Sequence, residues 1–223
     1  MSDSPDLVLA SASPRRRELL ACLGLAFTVR AASGVDESLP GKIEDPVVFA
    51  RDLSDLKARE VAADFPDSAI IAADTIVVLD NSILGKPESA EEARRTLRQL
   101  RGREHQVTTA VALVFGEQSW IDHVTTNVVM RDYSDEEIER YIESDEPFDK
   151  AGSYAIQDRQ FRPVERYEGC YCNVVGLPLL LTHRMLEEAG FDLRNLNPAS
   201  LPPQCRSCPN VVPAIPADKR AER

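Results

Sequence analysis

The chain has 223 residues, enough for one large or two small domains, and its 43% hydrophobic content is ample for a buried core. A formal net charge of −11 excludes general nucleic-acid binding, which needs a broad basic surface, yet a small anion needs only a local cluster of cations. The acidic start, Met1-Ser2-Asp3-Ser4-Pro5-Asp6, lacks the cationic lead of a signal peptide and the longest apolar stretches, 69–79 and 174–181, are too short to span a bilayer, so a cytoplasmic location without a membrane partner is the expectation.

Leu7 to Ala10 reads as a short strand buried on both faces, and residues 14–23 as a helix that Gly24 closes. The turn between them suits an anion. Ser13 is a good N-cap, Pro14 fits the first helical position, and the open backbone N–H groups there join the helix dipole in favouring negative charge. Arg15, Arg16 and Arg17 are disfavoured so close to a helix N-terminus and call for a compensating anion, which their planar donors match when it is a phosphate.

Residues 46–63 predict a second helix opened by Pro46, with Phe49, Leu53, Leu56 and Val61 as an approximate apolar stripe and Lys57 beside it. Ala69 to Leu79 predicts a strand with Asp74 at its middle, turning at Asp80-Asn81-Ser82 into Ile83 and Leu84. Ser89 with Glu92 forms a capping box for a helix that ends before Gly102. Val107 to Phe115 and Trp120 to Val129 then pair antiparallel around Gly116-Glu117-Gln118. Ser134 with Glu137 caps a helix carrying Ile138, Tyr141 and Ile142, and Pro178 opens a last helix that stops before Gly190. The mixture is an α/β domain over residues 1–190. From residue 191 six of the 15 prolines accumulate with no apolar period, which reads as a poorly ordered tail. The tail holds Cys205-Arg206-Ser207-Cys208, a lone C-x-x-C for which zinc would need two more ligands, such as Cys170 and Cys172. Five cysteines, an odd set in a reducing compartment, argue against a disulfide framework.

Several polar residues stand where chemistry is possible. Asp74 sits inside an apolar run, where a carboxylate needs a partner or a metal to stay charged; the alternative is an Asp capping a strand-end turn. Glu37, with Asp36 beside it, is a plausible second carboxylate for a divalent metal or else a solvated loop acid. Lys86, in Gly85-Lys86-Pro87 after the Asp74 hairpin, is an ordinary surface lysine or a cation able to meet charge on a leaving phosphate. Lys57 can bind phosphate or snorkel along the helix. Thr75 and Gln157 can pair with a nucleobase edge or with nearby backbone. His105, His123 and His183 have no metal-ligand spacing, and neither a P-loop nor a dinucleotide fingerprint is present.

The block Ser11-Ala12-Ser13-Pro14-Arg15-Arg16 followed by Glu18-Leu19-Leu20 resembles the N-terminal signature of the Maf family of nucleoside triphosphate pyrophosphatases. The similarity continues through Ala73-Asp74-Thr75, Leu84-Gly85-Lys86-Pro87, the stretches 105–111 and 149–157, and Asn173-Val174-Val175-Gly176-Leu177-Pro178-Leu179. It implies a two-lobed Maf/ITPase-like α/β fold with an elongated mixed sheet, a central cleft, a homodimer and a divalent cation, Mg²⁺ or Mn²⁺. It also implies roles: Asp74 as proton acceptor for the attacking water and, with Glu37, metal ligand; Lys86 as the other catalytic residue; Ser13, Arg15, Arg16 and Lys57 on the phosphate chain; and Arg15, Thr75 and Gln157 on the base. Tyr154-Ala155-Ile156-Gln157 looks like the branch acting on dTTP and UTP, with a 7-methyl-GTP pyrophosphatase and a nucleotide-binding regulator of septum formation as the alternatives. Asp158 to Pro163 departs from the family pattern, placing an acid and bulky groups where glycines are usual, a change able to reshape the base pocket.

Overall fold

Residues 5–36, 44–193 and 197–206 are described by a computed structural model of the chain. The strands are β1 (Leu7–Leu9), β2 (Thr28–Val29), β3 (Ala69–Leu79), β4 (Ser82–Leu84), β5 (Glu104–Phe115), β6 (Gln118–Met130) and β7 (Val164–Glu168). The helices are α1 (Pro14–Ala21), α2 (Pro46–Ala62), α3 (Ala90–Leu100), α4 (Asp135–Ile142), α5 (Tyr171–Val175), α6 (Leu179–Glu188) and α7 (Pro203–Arg206). One seven-stranded sheet joins them in the order β2-β1-β3-β5-β6-β7, with β4 paired to β3 outside that path. β1 runs parallel to β2 and β3, whereas β3, β5, β6 and β7 follow one another antiparallel. The mixed sheet flanked by helices is the architecture expected.

Side-chain alternation along β3 distributes the core. Ile71 and Ala73 face one side and pack with Leu20 of α1 and Leu186 of α6, while Ile70 and Ala72 face the other and pack with Ala58 and Val61 of α2. Four residues further on the neighbours change. Val77 and Leu79 belong to a cluster built with Leu97 and Leu100 of α3 and Ile138 and Tyr141 of α4. β3 and β5 therefore run through both lobes, and Asp74-Thr75 falls where one lobe gives way to the other. Gly152 packs against that second lobe at φ +71, where a Cβ would stand 3.0 Å from Val77, so a larger residue would be strained and crowded.

The local grammar of the chain carries most of these elements. Ser13 caps α1 by accepting from the backbone N–H of Arg16, and the helix closes two residues earlier than expected, through 3₁₀-type bonds from Leu23 to Leu20 and Gly24 to Ala21. Ser134 and Glu137 form the full capping box, but at α3 Glu92 accepts from the N–H of Glu88 rather than from that of the cap Ser89. The β5–β6 hairpin is tighter than expected, with Phe115 opposite Gln118 and only Gly116-Glu117 between. On α2 the buried stripe is Ala50, Leu53, Ser54, Lys57, Ala58 and Val61, so it runs through Lys57, and Leu56 is 53% exposed. The helix packs on small residues of β3 and β5, and its face is set by what must reach them rather than by bulk.

Where the sequence places a tail, Phe191, Leu193, Leu201 and Cys205 are buried in the cluster formed with α1 and α6. Cys205 and Cys172 belong to the same cluster, and none of Cys22, Cys170, Cys172 and Cys205 is in a disulfide. Cys208 lies outside the described residues, and among these no group of three or more His, Cys, Asp or Glu is placed to hold a metal. No described helix is long and apolar enough to cross a membrane.

His105 is buried on β5, with Nε2 2.7 Å from the Tyr154 hydroxyl, and burial pushes its imidazole down to about 4. Between that value and the ordinary 6.5 the unfolded chain binds the extra proton, so the stabilisation is full above pH 6.5 and is lost as pH falls towards 4. In urea denaturation, lowering the pH from 7 to 5 should cost the parent about 2 kcal/mol more than it costs His105→Gln. Equal pH slopes for the two proteins would contradict this.

Candidate active site

Between the lobes lies a cavity of about 840 Å³, within the range of small-molecule sites. Its lining places six basic side chains, Arg15, Arg16, Lys57, Lys86, Arg95 and Lys150, against four acidic ones, Asp74, Glu88, Glu92 and Asp149. In a chain of net charge −11 this local excess of cations makes the cavity a candidate anion site.

Asp74 comes from the mid-point of β3 and Lys57 from the buried stripe of α2. The Lys57 ammonium donates to Oδ1 of Asp74 at 2.6 Å, with the two residues 6% and 8% exposed. α2 reaches this face because Asp74 follows Ile70 and Ala72 at period two, and because its cross-strand neighbour on β5 is Ala110, which leaves room for a lysine above the sheet.

Thr75, one residue on, points to the opposite face, where the α1 turn meets it. Arg16 donates to the Gly176 carbonyl at 2.9 Å through Nε, to Thr75 Oγ1 at 3.1 Å and to Ser11 Oγ at 3.4 Å. Each guanidinium nitrogen thus has a protein acceptor, and the plane of the group is fixed. Gly176 sits at φ +125, a conformation that favours glycine, and its Cα approaches Arg16 closely enough that a Cβ would lie 3.6 Å from Nε. Arg15 is held differently. It forms a partly exposed 2.8 Å ion pair with Asp149, which lies in a 3₁₀ turn of the other lobe after α4. Burial pushes the Asp149 carboxyl up, but hydrogen bonds from Lys150 and Arg15 outweigh it and hold the group below the usual carboxylate range.

Ser13, Arg15, Arg16, Lys57, Asp74, Thr75, Lys86 and Gln157 all line this one cavity, although they come from sequence positions as far apart as 13 and 157. Lys86 and Gln157 are exposed at its rim. Glu37 lies outside the described residues. The Thr75 hydroxyl is turned to Arg16 and Thr109 rather than presented alone to the cavity. Asp158, Arg159 and Arg162, from the segment expected to reshape the base pocket, do not line this cavity but line a neighbouring one that shares Arg15, Ile156 and Gln157 with it. Asp158 caps its own turn by accepting from the N–H groups of Gln160 and Phe161, and the Phe161 ring stacks on Tyr141 in the core.

Sequence reading overlooked Lys150 and Arg95. Lys150 is 7% exposed and bonded to Asp149 at 2.6 Å, so it lines the cavity as a second buried ammonium. Its signal was present, since a lysine directly after Asp149 inside a matched block is a poor surface residue; Arg95 offers none, being one of several arginines on an amphipathic helix.

A carboxylate beside an ammonium, a fixed guanidinium and rim cations can activate water next to a bound polyphosphate. Removing one member of a buried pair strands the other. Lys57→Met should therefore lower unfolding free energy by roughly 2–4 kcal/mol, and Lys57→Met with Asp74→Asn should recover most of the loss. Denaturant midpoints check this, and a single variant as stable as the parent would contradict it.

The Maf-like protein profile matches residues 6–189. A protein of Thermomicrobium roseum named dTTP/UTP pyrophosphatase is 55% identical over 217 residues, spanning 97% of this chain and 99% of the relative. Relatives of the same name from Koribacter versatilis and Dictyoglomus thermophilum are 46% and 44% identical, spanning 82% and 84% of this chain and 94% and 98% of their own. With all the cavity residues inside the matched region, the chain belongs to the Maf family.

Proposed function

We propose that the protein hydrolyses dTTP and UTP to the nucleoside monophosphate and pyrophosphate. The observation that carries this reading is the cavity at the lobe junction, where an acidic chain gathers six basic side chains around one buried carboxylate. The names of the relatives support the nucleotide class.

In this reading Ser13, Arg16 and Lys57 bind the phosphate chain, with Arg15 and Lys150 at the side of the second lobe. Oδ1 of Asp74 is engaged by Lys57, and Oδ2 takes the proton of the water attacking the α-phosphorus. Lys86, on the loop after β4, meets the charge that develops on the departing pyrophosphate. Gln157, Arg15 and Thr75 select the base, and the Thr75 hydroxyl also holds Arg16.

Magnesium or manganese would be held by Asp74, with Glu37 as the second carboxylate. Asp74 supplies one carboxylate at the cavity wall, and such an ion uses one or two carboxylates and completes its shell with phosphate oxygens and water. When bound it would supply charge neutralisation on the phosphates. A homodimer and a cytoplasmic location belong to the same reading, resting on the family resemblance and on the sequence.

Purified protein with Mg²⁺ should release pyrophosphate from dTTP and UTP faster than from CTP or 7-methyl-GTP, and Asp74→Asn should lower kcat by about 10²–10⁴-fold. Faster turnover of 7-methyl-GTP would favour the other branch of the family. No turnover of any of the four would favour a binding protein, and an Asp74→Asn variant as fast as the parent would overturn the mechanism.

A further inference from the structure

Arg16 is held by a hydrogen-bond relay that continues away from the cavity. Thr75 Oγ1, which accepts from Arg16, lies 2.9 Å from Oγ1 of its cross-strand partner Thr109. Thr109 Oγ1 in turn lies 2.8 Å from the backbone carbonyl of Asn173. The proton positions follow from the chemistry of the groups. A carbonyl can only accept, so the single hydroxyl proton of Thr109 points at Asn173, and Thr75 must donate to Thr109. The hydroxyl proton of Thr75 is thereby committed, and its oxygen is turned to receive the guanidinium.

Asn173 anchors the relay. It is fully buried; its Oδ1 accepts from the N–H of Thr109, and its Nδ2 donates to the Val107 carbonyl and to Thr126 Oγ1, all at 2.8 Å. These bonds tie the start of α5 to β5 and β6. Three residues later α5 ends at Gly176, whose N–H bonds the Cys172 carbonyl and whose own carbonyl accepts from Arg16 Nε. The Thr75 hydroxyl and the Gly176 carbonyl that hold Arg16 therefore both trace back to one buried residue, Asn173.

We infer that Thr109 and Asn173 are positioning residues for Arg16, acting through the Thr75 hydroxyl and the Gly176 carbonyl that hold its guanidinium. This rests on the proposed function for the identity of the anion. Fixing a guanidinium before the ligand arrives removes the cost of ordering it on binding and aims its charge at one place.

The test is a mutant cycle read on turnover, binding and stability together. Thr109→Val keeps the side-chain shape and removes the relay hydroxyl. It should lower kcat/KM for dTTP and UTP by about tenfold, the scale of a hydrogen bond to a charged group, and Thr109→Ser should recover most of that. In an Arg16→Ala background Thr109→Val should change kcat/KM less than twofold while still lowering Tm. Thr75→Val, which removes the acceptor directly, should lower kcat/KM by at least about tenfold, and in that background Thr109→Val should change it less than twofold. A Thr109→Val effect that persists without Arg16, parent-like activity in Thr109→Val, or an undiminished Thr109→Val effect in the Thr75→Val background would each overturn the inference. Should Thr109→Val fail to fold, Thr109→Ala in the parent and Arg16→Ala backgrounds decides it. If the parent releases no pyrophosphate, the proposed function falls. dTTP binding in EDTA, followed by calorimetry, then reads the same cycle, and a parent that does not bind dTTP overturns both.

Discussion

The rest of the molecule is arranged around a buried pair of opposite charges, Lys57 on Asp74, set at the point where β3 passes from one lobe to the other. A carboxylate there would be costly to desolvate alone, and so would an ammonium on the sheet-facing side of a helix. Each makes the other tolerable. The pair is a poor source of net stability, since two apolar residues of similar volume would serve a core as well or better. Its presence at the wall of a cavity that gathers six basic side chains marks it as functional, and several structural choices follow from it. α2 must bury a lysine within its stripe, β5 must present alanine opposite Asp74, and the sheet must be long enough for both lobes to share its central strands.

On the other face of the same strand the problem is geometric. Alternation puts Thr75 opposite Asp74 by one residue, so two neighbouring positions serve two faces of the sheet and still border one cavity. α1 brings Arg15 and Arg16 to that border in different states. Arg16 is clamped by acceptors that belong to the fold, whereas Arg15 is held by an exposed ion pair across the cleft. One guanidinium is in place beforehand and the other has a partner to leave.

How much of this is visible in the sequence depends on the distance over which each feature is determined. Caps, turns and strand periodicity are local, and Ser13, Ser134, Asp80-Asn81 and the alternation of β3 all carry their meaning within a few residues. Quoted motifs bring Ser13, Asp74, Lys86 and Gln157 to attention, and all of them line the same cavity. What is not visible is which face a helix buries when the apolar signal is weak. The α2 stripe is made of alanine, serine and lysine, and a reading that follows bulk selects the exposed Leu56. Hydrogen bonds between segments are equally hidden, because nothing near Asn173 in the chain announces Thr109 or Val107. Composition also misleads after residue 190. Proline-rich sequence suggests no core, yet Leu201 and Cys205 fill space beside α1 and α5.

The Arg15–Asp149 pair gives the cleft a property that its shape does not. Arg15 belongs to the lobe of α1 and Asp149 to the lobe of α4, so the bond is a clasp between them. An anion that takes the Arg15 donors now given to Asp149 displaces a carboxylate already in contact with them, and the new attraction is reduced by the one given up. Occupying the cleft is therefore an exchange of partners. The released Asp149 keeps Lys150 as its counter-charge, so opening the clasp leaves no bare acid facing the incoming phosphates. An exposed pair of this kind is worth little, so a polyphosphate, with its larger charge, gains from the exchange where a single carboxylate would only replace like with like.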